Sequence, residues 1–249
     1  MQSLINLQTE KTIKIEAGDD TFLLERLSKD DCLPERDFTL AENAHARYLL
    51  LVEPGVSLEN IRRFWHLETG ASLQTYYLFL EAKSGAWQLQ HHLADRAKIE
   101  SHSLFLGREQ DNLEVKASYD FAGRGSFGRV QVDAWLDGDS RLRYDADLNV
   151  LATAQQSDTR VDMRLRLASK SARGQLIPGL NIAANDVRAG HSASTFQLSK
   201  EDLFYLRSRG LSPEAAQKLF ALSLSRNFVK GLGDTELSAE ILSLISARL

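Results

Sequence analysis

Strict alternation of apolar and polar residues, in segments set close together, constrains this chain more than anything else in it. Leu113, Val115, Ala117, Tyr119 and Phe121 recur at a period of two. So do Val130, Val132, Ala134 and Leu136, then Val161, Met163, Leu165 and Leu167, then Leu180, Ile182 and Ala184. In a strand that period puts all apolar side chains on one face. The stretch RLRYDADLNVL repeats it less cleanly. Strand centres fall about every 16 residues, too close for the helical crossovers of a doubly wound parallel sheet, which take a dozen or more connecting residues. An antiparallel meander, a barrel, a sandwich and a β-solenoid all satisfy this spacing, and periodicity does not choose among them.

The β signal strengthens from Arg47 with RYLLLVEP and continues through LQTYYLFLEA, AWQLQHHLA and HSLFLG. Residues 1–40 are less regular. Ile13 and Ile15 alternate with lysines, Phe22-Leu23-Leu24 suits a strand, and SKDDCLPERD reads as a surface loop. Beyond Leu198 the period changes. Ser199 and Asp202 form a helix start ahead of Leu203, Phe204 and Leu206, and Gly210 stops it. Ser212-Pro213-Glu214 opens a second helix carrying Ala215, Ala216, Leu219, Phe220 and Leu222. Gly231 and Gly233 end that one, and Asp234 caps a third with Leu237, Ile241, Leu244 and Ile245 on one stripe. The expected organisation is an N-terminal segment of unassigned structure (1–40), a β core (41–197) and a small helical domain (198–249).

The net charge of −4 supplies no whole-molecule attraction for nucleic acid or an anionic membrane. No apolar run approaches the ~20 residues of a membrane span, and MQSLINLQTEKTIKIEAGDD lacks a secretory signal's features; a cytoplasmic protein is expected. Cys32, the single cysteine, excludes an internal disulfide and a CxxC knuckle. The string GRGSFG (Gly123, Gly125, Gly128) spells a dinucleotide fingerprint, yet RVQVDAWL follows as a strand where that motif needs a helix. It reads as a turn. His91 and His92 are adjacent in a strand and point to opposite faces, so together with His102 they do not make a metal site. Arg164, Arg166 and Lys170 lie on a solvated face. With no GxSxG, HExxH, P-loop or CxxC, no enzyme signature emerges. His191, among the small residues Gly190, Ser192, Ala193 and Ser194, is the candidate iron or zinc ligand. A histidine simply hydrogen-bonded where strand meets helix fits the same residues.

The run Pro178-x-Leu180-x-Ile182-x-Ala184-x-Asp186-Val187-x-x-x-His191-x-Ala193-x-x-x-Gln197-Leu198, then Glu201-Asp202-Leu203-Phe204-Tyr205-Leu206-Arg207-Ser208-Arg209-Gly210, resembles the SufB/SufD family. The likeness is ungapped over about 35 residues and extends more loosely over roughly 120–225. It implies a right-handed parallel β-helix followed by a small helical domain. It also implies pairing through the end of that β-helix, with itself or with a SufB/SufD paralogue. The C-terminal helices would dock a SufC-like ABC-type ATPase. Carried over by position, His191 matches the histidine that SufD-type chains bring to the pair's interface. The segment from Leu203 to Phe220 matches the docking helices, with Phe204, Tyr205, Leu211 and Phe220 as candidate contacts or as core. The sequence departs from the family pattern at HSAS, where Ser192 replaces the glutamate of SufB, and it has no cysteine between Leu106 and Pro178. The chain is also short for the family. It therefore resembles SufD, an accessory scaffold and not an enzyme. Such a chain holds no cofactor stably by itself; iron or a transient Fe–S cluster would sit at the dimer interface. Two other readings compete: an orphan structural β-helix dimer without metal, and a carbohydrate-active β-helix enzyme using Asp133, Asp145 and Asp147.

Overall fold

The structure, a computed structural model, describes residues 4–7, 9–28, 33–197 and 199–249. Fifteen strands precede three helices: β1 (Leu4–Leu7), β2 (Thr12–Ile15), β3 (Asp20–Leu27), β4 (Glu35–Leu40), β5 (His45–Val52), β6 (Ser57–Leu67), β7 (Ser72–Leu80), β8 (Ser84–Leu93), β9 (Lys98–Gly107), β10 (Asn112–Phe121), β11 (Phe127–Leu136), β12 (Arg141–Val150), β13 (Asp158–Leu167), β14 (Arg173–Ile182), β15 (Arg188–Gln197), α1 (Lys200–Ser208), α2 (Pro213–Lys230) and α3 (Thr235–Ser246). Odd-numbered strands form one parallel sheet and even-numbered strands the other, each strand pairing with those two before and two after it. This is a parallel β-solenoid of two facing sheets. Each coil uses one strand from each sheet and takes from 18 residues (Leu4 opposite Phe22) to 32 (Arg141 opposite Arg173). The solenoid therefore begins upstream of residue 41, with β1 to β4 already in its two sheets.

Between the sheets, alternate side chains stack in register from coil to coil. Phe38 lies on Trp65 at 3.9 Å, Phe79 on Phe105 at 4.5 Å, and His91 on Tyr119 at 4.5 Å. One extra residue in β6, between Leu58 and Ile61, shifts the register against β8. From Ile61 onward that bulge sends the odd-numbered residues of β6 inward and the even-numbered ones to solvent.

The corners explain the glycine motif. Asn43, Gly70, Arg96, Gly125 and Gln156 adopt positive φ at the same corner of successive coils. There the amides of Arg96 and Gly125 donate to Arg124 and Gln155 of the following coil. Gly125 (φ +67°) supplies that conformation at no steric cost. Gly123 answers a different need, because a Cβ there would overlap the Asp95 amide and the Ala94 carbonyl of the coil below. Gly123→Ala should therefore destabilise by at least the ~1–3 kcal/mol typical of overpacking. Gly125→Ala should cost only about 1 kcal/mol. Urea denaturation of both variants checks the order, and equal midpoints would contradict it.

The helices begin as their sequences indicate. Ser199 and Asp202 make a reciprocal capping box, Ser212 accepts from the Ala215 amide ahead of Pro213, and Asp234 accepts from the Leu237 amide. α2 and α3 fold back along the outer face of the odd-strand sheet. There Ala221, Leu224, Phe228, Ile241 and Ile245 bury Leu24, Leu49, Leu51, Tyr76, Leu78 and Leu104. Polar ties fix the return. Arg47 donates to the Leu232 carbonyl at 2.6 Å, Tyr76 to that of Gly231 at 2.6 Å, and Arg26 pairs with Glu240 at 2.9 Å. No helix among the described residues is long and apolar enough to cross a membrane.

Candidate functional site

The solenoid's last coil, β14 and β15, has no further coil stacked on it among the described residues, and its side chains are mostly exposed. Each of its strands presents one edge without a β-partner, the feature by which sheets recruit another chain. Ile182 and Phe196 stand 46% and 40% exposed at this end.

His191 lies here, inside β15 and not at the junction with the helices. Its register partner is Val161, a fully buried residue of the tube's interior. His191 therefore has inward parity but sits where the tube is open. Its Nδ1 lies 3.0 Å from the Pro178 carbonyl of β14; with that nitrogen protonated and donating, the ring's lone pair is on Nε2. Ser192 faces outward and donates to Asp162 at 2.6 Å. Asp162 is held below the usual carboxylate range, chiefly by the hydrogen bond from Arg160.

The candidate docking residues separate into two pairs. Phe204 and Tyr205 on α1 are 75% and 58% exposed, with the Arg209 guanidinium 5.4 Å from the Tyr205 ring. Leu211 and Phe220 are half-buried and line a groove of about 210 Å³ with Leu206 and Leu219. Phe220 also reaches the solenoid. Its ring is 6.2 Å from Phe196 of β15, and the Arg166 guanidinium lies within 6 Å of both rings. The groove on the helices and the open coil are thus joined through three side chains.

Other sequence candidates separate. His91 is buried between the sheets, its Nδ1 3.2 Å from the Ser118 carbonyl, and burial pushes it down to about 4. His92 is outside, and His102 stacks on Tyr76 at 5.3 Å over the opposite sheet. Asp133 belongs to the odd-strand sheet and pairs with Arg164 at 2.8 Å, whereas Asp145 and Asp147 are on the even-strand sheet. The three therefore do not form a common carboxylate site. Cys32 lies outside the described residues. No group of three or more His, Cys, Asp or Glu among the described residues is placed to hold a metal ion.

Sequence reasoning missed a charged cluster in the first coils. Glu25, 1% exposed, accepts from Arg36 Nε at 2.9 Å and from Arg63 at 2.5 and 3.0 Å, and also from the Tyr48 hydroxyl. Burial, with the charge of Glu25 beside it, pushes the Tyr48 phenol well above its ordinary value, so it donates instead of ionising.

A two-sheet parallel β-solenoid, with a helical segment returning along one flank and one coil left open, is the class of protein that these features define. The family described as "SUF system FeS cluster assembly, SufBD core domain" matches residues 9–223, and the chain belongs to it. The match reaches well into the first hundred residues, where the sequence by itself showed no likeness. The chain is 27% identical over 252 residues to the iron-sulfur cluster assembly protein SufD of Escherichia coli, covering 84% of this chain and 57% of that protein. It is 30% identical over 150 residues to SufD of Bacillus subtilis (60% and 34%). Against a SufBD family protein of Pyrococcus horikoshii it is 23% identical over 150 residues (60% and 33%). The chain thus spans from about a third to just over half the length of these relatives.

Proposed function

We propose that this chain is an accessory scaffold subunit of Fe–S cluster assembly, acting in the cytoplasm and not as an enzyme. It pairs through the open coil with a second copy or a SufB/SufD paralogue, so that His191 Nε2 faces the interface. It docks a SufC-like ABC-type ATPase through α1 and α2, with Phe204 and Tyr205 as anchors and the groove at Leu211 and Phe220 receiving the partner's apolar side chain. Iron or a nascent cluster is the cargo. One imidazole is what this chain offers it, so the partner must supply the thiolates such clusters need.

The Phe220–Arg166–Phe196 contact carries this reading, because it couples the exposed helices directly to the strand that bears His191. A push on α2 reaches the open coil through packed side chains, without a loop between them. Light scattering on this protein mixed with the SUF ATPase tests the proposal. A stable complex with faster ATP hydrolysis is expected. Phe204→Ala with Tyr205→Ala should weaken it by roughly 30-fold or more, the scale of two aromatic anchors. His191→Ala should leave the complex intact and lower cluster yield on reconstitution. Absence of a complex in every nucleotide state would overturn the docking role, and an unchanged cluster yield would remove His191 from the interface.

A further inference from the structure

The outer face of the even-strand sheet, opposite the flank that the helices cover, carries one ladder unlike its neighbours. Reading across coils, His66 of β6 stands in register with His92 of β8, and His92 with Asp120 of β10. Adjacent strands lie about 4.8 Å apart, so these three residues occupy successive steps on one surface. The β6 bulge puts His66 there; without its extra residue the parity of β6 would turn this imidazole inward.

We propose that His66 and His92 form a two-imidazole site for a borderline divalent transition-metal ion such as zinc, separate from the open coil. Both histidines are exposed, and neither ring nitrogen makes a hydrogen bond to a described residue. By contrast, His91 and His191 each have a ring nitrogen close to a backbone carbonyl. The two ring centroids are 6.5 Å apart and tilted by 48°. With Zn–N distances near 2.0–2.1 Å, two imidazoles sharing one ion hold their centroids about 5–6.4 Å apart, so closing the pair takes only a side-chain rotation.

Asp120 adds the negative charge. Its Oδ1 is fixed by Ser118 at 3.0 Å and Asn149 at 2.6 Å, which orients the carboxylate beside His92 and leaves Oδ2 unbonded among the described residues. His92, Asp120 and Asn149 open onto a surface groove with Asn181, roomy enough for the waters that fill the remaining positions. Asp120 thus acts on the ion through water as an outer-sphere partner. Imidazole is the ligand type suited to zinc, copper and nickel, whereas magnesium and calcium prefer all-oxygen sites.

The test uses the full chain and Zn²⁺ alone, followed through the histidine-ring signals in ¹⁵N NMR and by calorimetric titration. The expected result is a shift of the His66 and His92 rings together, saturating at one equivalent. His66→Ala and His92→Ala should each weaken that event at least tenfold, the lower end of what even outer-sphere partners contribute. His191→Ala should leave it unchanged. Asp120→Asn should weaken it while both rings still shift, because a neutral amide keeps the shape and loses the charge. Unmoved His66 and His92 rings in excess zinc, or a titration that the double His66→Ala/His92→Ala variant leaves unchanged, overturns the site.

Discussion

Glu25→Ala should lower the stability of this protein by about 3–5 kcal/mol, the cost of breaking a buried ion pair from one side. Glu25, Arg36 and Arg63 are 1%, 2% and 0% exposed, and the carboxylate is the shared acceptor of both guanidiniums. Removing it takes their shared carboxylate from two cations in the interior of the first coils; Arg63 keeps backbone carbonyls such as those of Leu33 and Arg62, and Arg36 keeps the Glu10 carboxylate at 3.9 Å and the Glu10 carbonyl. The cost arises from stranded charge and not from lost attraction. Replacing the cluster as a whole, by Glu25→Leu with Arg36→Met and Arg63→Met, should therefore recover most of the loss, as apolar replacements of buried ion clusters do. Denaturant titration followed by circular dichroism measures both. A loss below 1 kcal/mol in Glu25→Ala would show that the coils relax to hydrate the arginines.

The second expectation concerns acid. His91 is enclosed between the sheets, stacked on Tyr119, and burial holds its pKa at about 4 against 6.5 for a free histidine. Above pH 6.5 the ring is neutral whether the chain is folded or not, and stability does not depend on it. Between 6.5 and 4 the unfolded chain takes up a proton that the folded chain refuses, so stability falls as the pH falls. The depression corresponds to roughly 3 kcal/mol, fully lost by about pH 4. Asp111, pushed up to about 6 by burial, works in the opposite sense over part of this range. It binds its proton more readily when folded, so the net slope should be shallower than His91 alone dictates. His91→Phe, which keeps a ring against Tyr119, should abolish the histidine component of the slope. Wild type and His91→Phe falling in parallel between pH 6.5 and 4 would contradict this origin.

How clearly each strand could be read depends on what covers it. From Leu113 to Leu167 one face of each strand meets the core and the other meets mainly solvent, so alternation is plain. In β5 and β7 the runs LLLV and YYLFL lose it, because α2 and α3 bury the outer face as well and both parities turn apolar. In β1 and β2 four residues each are too few to establish a period. The three helices were legible because Ser199, Ser212 and Asp234 cap them by local chemistry. His191 stands out by its residue type and small neighbours, and the resemblance places it at the pair's interface, but its inward parity follows only from the pairing of β15 with β13. His66 escaped notice for a related reason. It is 26 positions before His92, one whole coil, whereas sequence reading compares neighbours along a strand. The Glu25 cluster left its own mark, a charge at an inward position of an apolar run, which had no visible partner until Arg36 and Arg63 of the facing sheet were brought across from it.

The return of the C-terminal helices also sets an order for biosynthesis. The flank formed by Leu24, Leu49, Leu51, Tyr76 and Leu78 leaves the ribosome well before its cover, which comes from residues 221–245. The contact between Tyr76 and Gly231 spans 155 positions, and that between Arg26 and Glu240 spans 214. Coils stack on their immediate predecessors and can assemble as they emerge. The apolar flank cannot be covered until α2 and α3 have emerged. Until then the nascent chain is a growing rod with one greasy side, a natural client for a chaperone that shields it.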